Sequence, residues 1–156
     1  MNRAEKRRNK KLADKSAKKI KPLQKSSPIL AEQKSPLVIQ QAIDLALHHH
    51  QVGDLPKAES IYQQILKAQP NHPVALHFLG VIAHQVGKND VAVELITKAI
   101  SIKPDYAEAH NNLGLSFKAL EKLDNAVASY NKAIAINPDY AEWHSNLGNA
   151  LQEFRQ

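Results

Sequence analysis

Eight histidines and no cysteine set the chemistry open to this chain of 156 residues. Histidine is the commonest metal ligand and the side chain that changes charge nearest neutral pH. A zinc site, however, needs several ligands converging on one ion. His48, His49 and His50 are adjacent, and on a helix they point about 100° apart. They cannot share an ion readily. His77 and His84 lie seven residues apart and share a helix face, but about 10 Å separates them along the axis. His50 and His84 are 34 residues apart and, in a stacked repeat, would face each other. No carboxylate or thiol accompanies these histidines at zinc spacing. The expectation is no metal site and no cofactor. Histidines that line a surface would instead make its recognition sensitive to pH near neutrality.

No catalytic set emerges. A Gly-rich phosphate loop, an HExxH pair, a nucleophile elbow and a cysteine nucleophile are all absent from the sequence. His110 and His144 fall where a core between helices is expected. Trp143 and the tyrosines read as core rather than as stacking platforms. As it stands the chain is not expected to be an enzyme.

The elements that would position these groups recur at a fixed period. Pro70, Pro104 and Pro138 are 34 residues apart, as are Leu45, Leu79, Leu113 and Leu147, and Ala58, Ala92 and Ala126. The segment PDYAEAHNNLG (104–114) returns as PDYAEWHSNLG (138–148). Self-similarity at such a period marks a stacked solenoid. Each unit reads as two helices. Leu123, Ala126, Val127, Tyr130, Ala133 and Ile134 fall at steps of three and four, one stripe of an α-helix. Gly53 and Gly87 suit a left-handed turn between helices, where the third unit has Glu121. Each proline then blocks further helix. Ser35-Pro36 reads as an N-cap with proline in the first turn. Asp105 with Glu108, and Asp139 with Glu142, read as capping boxes.

The pattern resembles the tetratricopeptide repeat, a 34-residue helix–turn–helix. Repeats would cover 39–72, 73–106 and 107–140, with 141–156 as the first helix of a partial fourth. The paired small residues are Ala46 with Ala58, Gly80 with Ala92 and Gly114 with Ala126. Tyr62, Ile96 and Tyr130 follow as the large residues of the second helices. His49 departs from the usual large ring, and Pro56 sits in the opening turn of a second helix. The resemblance implies an all-α fold, a right-handed superhelical solenoid of antiparallel helix pairs.

In that family the first helices line a concave groove that holds partner segments. Carried over, the groove positions are Gln40, Ile43, Leu47 and His50, then Val74, His77, Val81 and His84. Glu108, Asn111, Asn112, Leu115 and Lys118 follow, with Ser145, Asn146, Asn149 and Gln152 from the last helix. The partner implied is a protein or peptide. Lys118 alone cannot build the Lys- and Arg-rich clamp that holds acidic chaperone C-termini. Asn112 and Asn146, each before Leu-Gly, are similar to the asparagine ladder in the arms of O-GlcNAc transferases. The ladder is short, because Asp44 and Phe78 hold the earlier places. A polar solvated face that keeps the helices soluble is the plainer alternative.

Charge is unevenly spread. Residues 1–25 hold eleven basic and two acidic residues, whereas 26–156 are net −3. Residues 1–25 are expected to be a disordered tail, and 26–38 a linker that leads into the first helix. The tail reads as a solubilising extension, with attachment to nucleic acid through phosphates or to an anionic membrane surface as alternatives. No apolar run is long enough to span a bilayer, and a cysteine-free chain without a signal peptide fits the cytoplasm. Gly148 holds the place where a second helix should pack, and Trp143, Leu147, Leu151 and Phe154 give the last helix a less polar face than a cap usually shows, so a longer parent protein is expected, with this helix as the cap itself the alternative. The MNRAEKRRNKK start followed by repeats resembles the front of bacterial proteins in which such repeats precede a glycosyltransferase or a sulfotransferase. Three functions follow: a scaffold or adaptor that binds a peptide or protein in its groove, the recognition arm of such an enzyme, or a nucleic-acid-associated protein that works through the tail.

Overall fold

A computed structural model describes residues 35–156, and the basic segment 1–25 lies outside them. Among the described residues there are seven helices and no strand. They are α1 (Pro36–Gln51), α2 (Leu55–Ala68), α3 (Pro73–Gln85), α4 (Asn89–Ile102), α5 (Ala107–Ala119), α6 (Leu123–Ile136) and α7 (Ala141–Phe154). Each helix packs on the next in sequence, and α3, α5 and α7 also touch in succession. The result is a stack of helix pairs, all-α as the 34-residue period predicts.

Three-residue turns close the pairs α1/α2, α3/α4 and α5/α6. All three turns share one hydrogen-bond pattern. Asp54 N–H donates to His49 O, Lys88 N–H to Ala83 O and Lys122 N–H to Phe117 O, at 2.8–2.9 Å. The residue before each donates to the carbonyl three back. This double closure needs a left-handed residue at the turn. Gly53 and Gly87 supply it at φ 81° and 80°, and Glu121 adopts φ 58° in the third turn. An L side chain in that region is strained.

Helix starts follow the sequence only in part. Ser35 Oγ accepts from Val38 N–H at 3.3 Å, with Pro36 opening α1. Asp54 Oδ1 accepts from Lys57 N–H, and His72 Nδ1 from Ala75 N–H. The capping boxes expected at Asp105 and Asp139 are not made. The N-cap positions fall one residue later, on Tyr106 and Tyr140, and neither helix has a side-chain cap. The tyrosine after each aspartate is the residue that turns the chain into the helix.

The core repeats with the period. Ala58, Ala92 and Ala126 are fully buried, as are Tyr62, Ile96 and Tyr130 four residues on. Opposite them stand Ala46, Gly80 and Gly114. A Cβ at Gly80 would come 2.6 Å from Ile96 Cγ1, and one at Gly114 would come 2.6 Å from the Tyr130 ring. Those distances are below any van der Waals contact, so the pairs have closed onto the missing side chains. Tyr62 and Tyr130 carry their hydroxyls into this interior without a hydrogen-bond partner. The rings therefore stabilise by apolar burial, and the oxygens oppose it.

Replacing Gly114 with Ala should cost about 1–3 kcal/mol through overpacking against Tyr130. Glu121→Gly should instead stabilise by about 1 kcal/mol by relieving the left-handed strain. Urea denaturation of the two variants beside the parent checks both signs.

Candidate peptide-binding groove

The first helices α1, α3, α5 and α7 carry the polar side chains singled out above. Their contacts between helices share a regular offset. His50 Nε2–H donates to Gln85 Oε1 at 3.0 Å. Asn112 Nδ2–H donates to His77 Nε2 at 2.8 Å. Asn146 Nδ2–H donates to Asn111 Oδ1 at 3.1 Å. Lys118 Nζ meets Glu153 Oε1 at 2.8 Å. In every case the partners are 35 residues apart, one repeat plus one residue. Neighbouring first helices are thus staggered by one position.

These rungs form two rows. One joins His77 to Asn112 and Asn111 to Asn146. The other joins His50 to Gln85 and Lys118 to Glu153. The rows lie six to eight residues apart on α3, α5 and α7, about 9–12 Å along the axis. Between them lie Leu47, Val81 and Leu115, one period apart and all half-buried. Leu115 packs on the cluster of Ala126, Tyr130 and Ala150. The face is an apolar stripe flanked by paired polar groups.

His77 anchors the inner row. It is 1 % exposed and packed among Phe78 and Tyr106, with ring centroids 4.7 and 4.6 Å away. Burial, with a smaller contribution from nearby His50, lowers its pKa to about 4. The ring is therefore neutral at physiological pH. Because Nε2 accepts from Asn112, the proton sits on Nδ1, which donates to the Tyr106 hydroxyl oxygen at 2.8 Å. Asn111 is likewise buried. These two residues are supports beneath the surface rather than open contacts.

Several groove expectations change accordingly. Ile43 is buried in the core formed with Ala46, Ala58 and Tyr62. His50 and His84 do not face each other across the groove. The His50 ring stands edge-on to Phe78, and His84 donates Nδ1–H to Asn89 Oδ1 within its own repeat. The one-residue stagger sets Gln85, not His84, beside His50. Lys118 is neutralised by Glu153. Asn149 and Ser145 are exposed, as are Glu108 and Gln152. Among the described residues no cluster of histidine and acidic side chains could hold a metal ion. His110 is buried and donates to Pro104 O. His144 donates equivalently to Pro138 O but is exposed, since nothing described packs over that side of α7. Trp143 is core, whereas Tyr140 is 46 % exposed, stacked on it.

Sequence reasoning missed Gln85, Tyr106 and Glu153. The signal was present as a 35-residue correlation, but only side chains that could hydrogen-bond reveal it.

The family model for the TPR repeat matches residues 80–121 and 116–153. These are tetratricopeptide repeats. The fold is similar to an O-GlcNAc transferase of Thermobaculum terrenum, at 29% identity and a TM-score of 0.71. That match covers 72% of this chain and 22% of the transferase, so the chain spans about a fifth of its length. It is also similar to the first TPR domain of Spaghetti (RPAP3) bound to an HSP90 peptide. Identity there is 20% and the TM-score 0.72, over 76% of this chain and 94% of that domain. The Sgt2 TPR domain of Aspergillus fumigatus matches at 20% identity and a TM-score of 0.71, over 78% and 81% of the two chains. No curated protein matches the chain significantly. Among the described residues no helix is long and apolar enough to cross a membrane.

The His77 pKa fixes a sign for stability against pH. Its native pKa lies below the ordinary 6.5, so the unfolded chain binds the proton more readily. This stabilisation is full above about pH 6.5 and is lost as pH falls toward 4. The total is on the order of 3 kcal/mol. Urea denaturation at pH 7.5, 5.5 and 4.5 should show that loss in the parent protein and a flatter response in His77→Phe. Identical pH profiles would mean that the ring is not held neutral.

Proposed function

We propose that the chain is a protein-interaction module that holds an extended polypeptide segment in the groove of α1, α3, α5 and α7. The apolar stripe of Leu47, Val81 and Leu115 between two rows of side-chain rungs carries this reading. A stripe of that kind offers burial to apolar side chains of a ligand. The asparagine rungs keep hydrogen-bonding capacity after pairing with each other. Asn146 spends one N–H on Asn111, and its carbonyl oxygen can still accept. A ligand backbone running along the rungs meets both donors and acceptors.

The rungs also favour one kind of ligand over another. Lys118 is spent on Glu153, and His77 is neutral. Glu108 and Glu142 on the groove side are exposed and in no ion pair among the described residues. The acidic HSP90 peptide seen on Spaghetti (RPAP3) is therefore a poor guide to the ligand here. An uncharged or basic segment with spaced apolar residues fits the groove better.

A second reading is favoured by the 29% identity with the bacterial O-GlcNAc transferase. On it, these repeats are the substrate-recognition arm of a longer glycosyltransferase or sulfotransferase. The chain itself would bind and not catalyse. Reading the open reading frame beyond Gln156 separates the two, and a stop codon there removes the enzyme-arm reading.

The groove is tested with a displayed library of random peptides. Segments captured by the parent protein should bind at least about tenfold more weakly to the Asn112→Ala/Asn146→Ala double variant, since each lost hydrogen bond is worth about 1 kcal/mol. Circular dichroism confirms that the variant is folded. Unchanged affinity for every captured segment would remove the groove from the function.

A further inference from the structure

Three side chains form a hydrogen-bonded chain between α3 and α5. Tyr106 holds the N-cap position of α5, and Asn112 follows in the same helix. His77 of α3 joins them. Its Nδ1 is 2.8 Å from the Tyr106 hydroxyl, and its Nε2 is 2.8 Å from Asn112 Nδ2. The ring is 1 % exposed, so both nitrogens depend on these two partners. Packing alone does not require an imidazole here. Ile43, the equivalent residue of α1, fills its place in the core with apolar atoms. The next rung is also built differently. Asn111 holds the position equivalent to His77, and Tyr140, the equivalent of Tyr106, is stacked on Trp143 and 46 % exposed.

A neutral imidazole has one donor and one acceptor, and the nitrogen that carries the proton decides what each neighbour must offer. With the proton on Nδ1, Nε2 can only accept. Asn112 must then turn its N–H to the ring, and its oxygen is left for other partners. Asn112 is half-buried on the groove helix, so that oxygen is within reach of a ligand. On the opposite tautomer Nε2–H would donate to the Asn112 oxygen, and the amide nitrogen would be left outward instead.

We propose that Tyr106 and His77 are positioning residues for recognition, which set the Asn112 amide so that its oxygen accepts from a backbone N–H of the bound segment. The assignment rests on the peptide-holding groove proposed above. His77 acts on Asn112 directly. Tyr106 acts at one remove, because its hydroxyl accepts from Nδ1–H and holds the proton there. Without that hydroxyl the ring keeps its N–H bonded only by moving the proton to Nε2, and a buried donor left unbonded is costly. The amide of Asn112 would then turn over. The rung thus selects against one residue type in the ligand. Proline has no N–H and cannot stand at the position that meets Asn112.

The tautomer is measured first, without ligand, by nitrogen NMR of the full chain carrying labelled histidine. The His77 signals are those lost in His77→Phe. They should show a protonated Nδ1 and a bare Nε2, and the reverse in Tyr106→Phe. The contact is measured with segments captured from the displayed library, remade with one backbone N–H at a time replaced by an ester oxygen. One such ester should bind the parent protein about fivefold more weakly, the worth of one hydrogen bond. The same ester should make no difference to Asn112→Ala or to Tyr106→Phe. Circular dichroism confirms that both variants are folded, and the tautomer and ester scan of the parent decide the matter even where a variant is not. A proton on Nε2 in the parent would overturn the proposal. So would a segment weakened by Asn112→Ala yet indifferent to every ester. An unchanged tautomer and ester effect in Tyr106→Phe would overturn it as well. Segments that are all indifferent to the Asn112→Ala/Asn146→Ala double variant would instead remove the groove from the function, and this assignment with it.

Discussion

The separation between the two helices of a pair governs everything built on them. At Gly80 and Gly114 the backbone of a first helix sits directly against Ile96 and Tyr130 of the second. Interior packing of this density tolerates little adjustment. The pair therefore behaves as a rigid wedge, and successive wedges stack at a constant stagger. That constancy places residue i beside residue i+35 in four separate contacts. The polar rows are a consequence of helix spacing, not an independent feature.

The rungs show how a solenoid can carry polar side chains between its helices without loss. His50, His77, Asn111 and Lys118 each find a partner on the next first helix, where the stagger delivers it. His77 is the most demanding case, because a charged imidazole would be costly at 1 % exposure. Its neutral ring is held from both sides, by Tyr106 and Asn112. His84 makes no such contact and bonds Asn89 of its own repeat instead. The lining is thus organised before any ligand arrives, which lowers the ordering cost of recognition.

Much of this was legible from the 34-residue spacing. Proline ends, glycine turns and the alternation of small and large core residues each follow from local rules, and all fall where the period puts them. What escaped the sequence depends on neighbours outside the period. Asp105 and Asp139 have the spacing of capping boxes, but the tyrosines that follow occupy the cap position. Ile43 aligns with His77 and Asn111, and all three are buried, so this position of the first helices faces inward whether its side chain is apolar or polar. His110 and His144 are identical in type and local context. Only the helix packed over one of them makes it core. The glycine turn also has an exception, since Glu121 takes up the left-handed conformation that hydrogen bonding of the turn demands.

Every helix touches only those next to it in the chain or one repeat away. Such a topology needs no distant ends to meet, so the entropy lost in closing loops is small and the search for the native arrangement is short. It also means that cohesion is local. A pair can come away from an end while the rest stays intact. During synthesis α1 and α2 can form while α7 is still to be made, and a pulling force would peel the stack from its ends rather than break it at once.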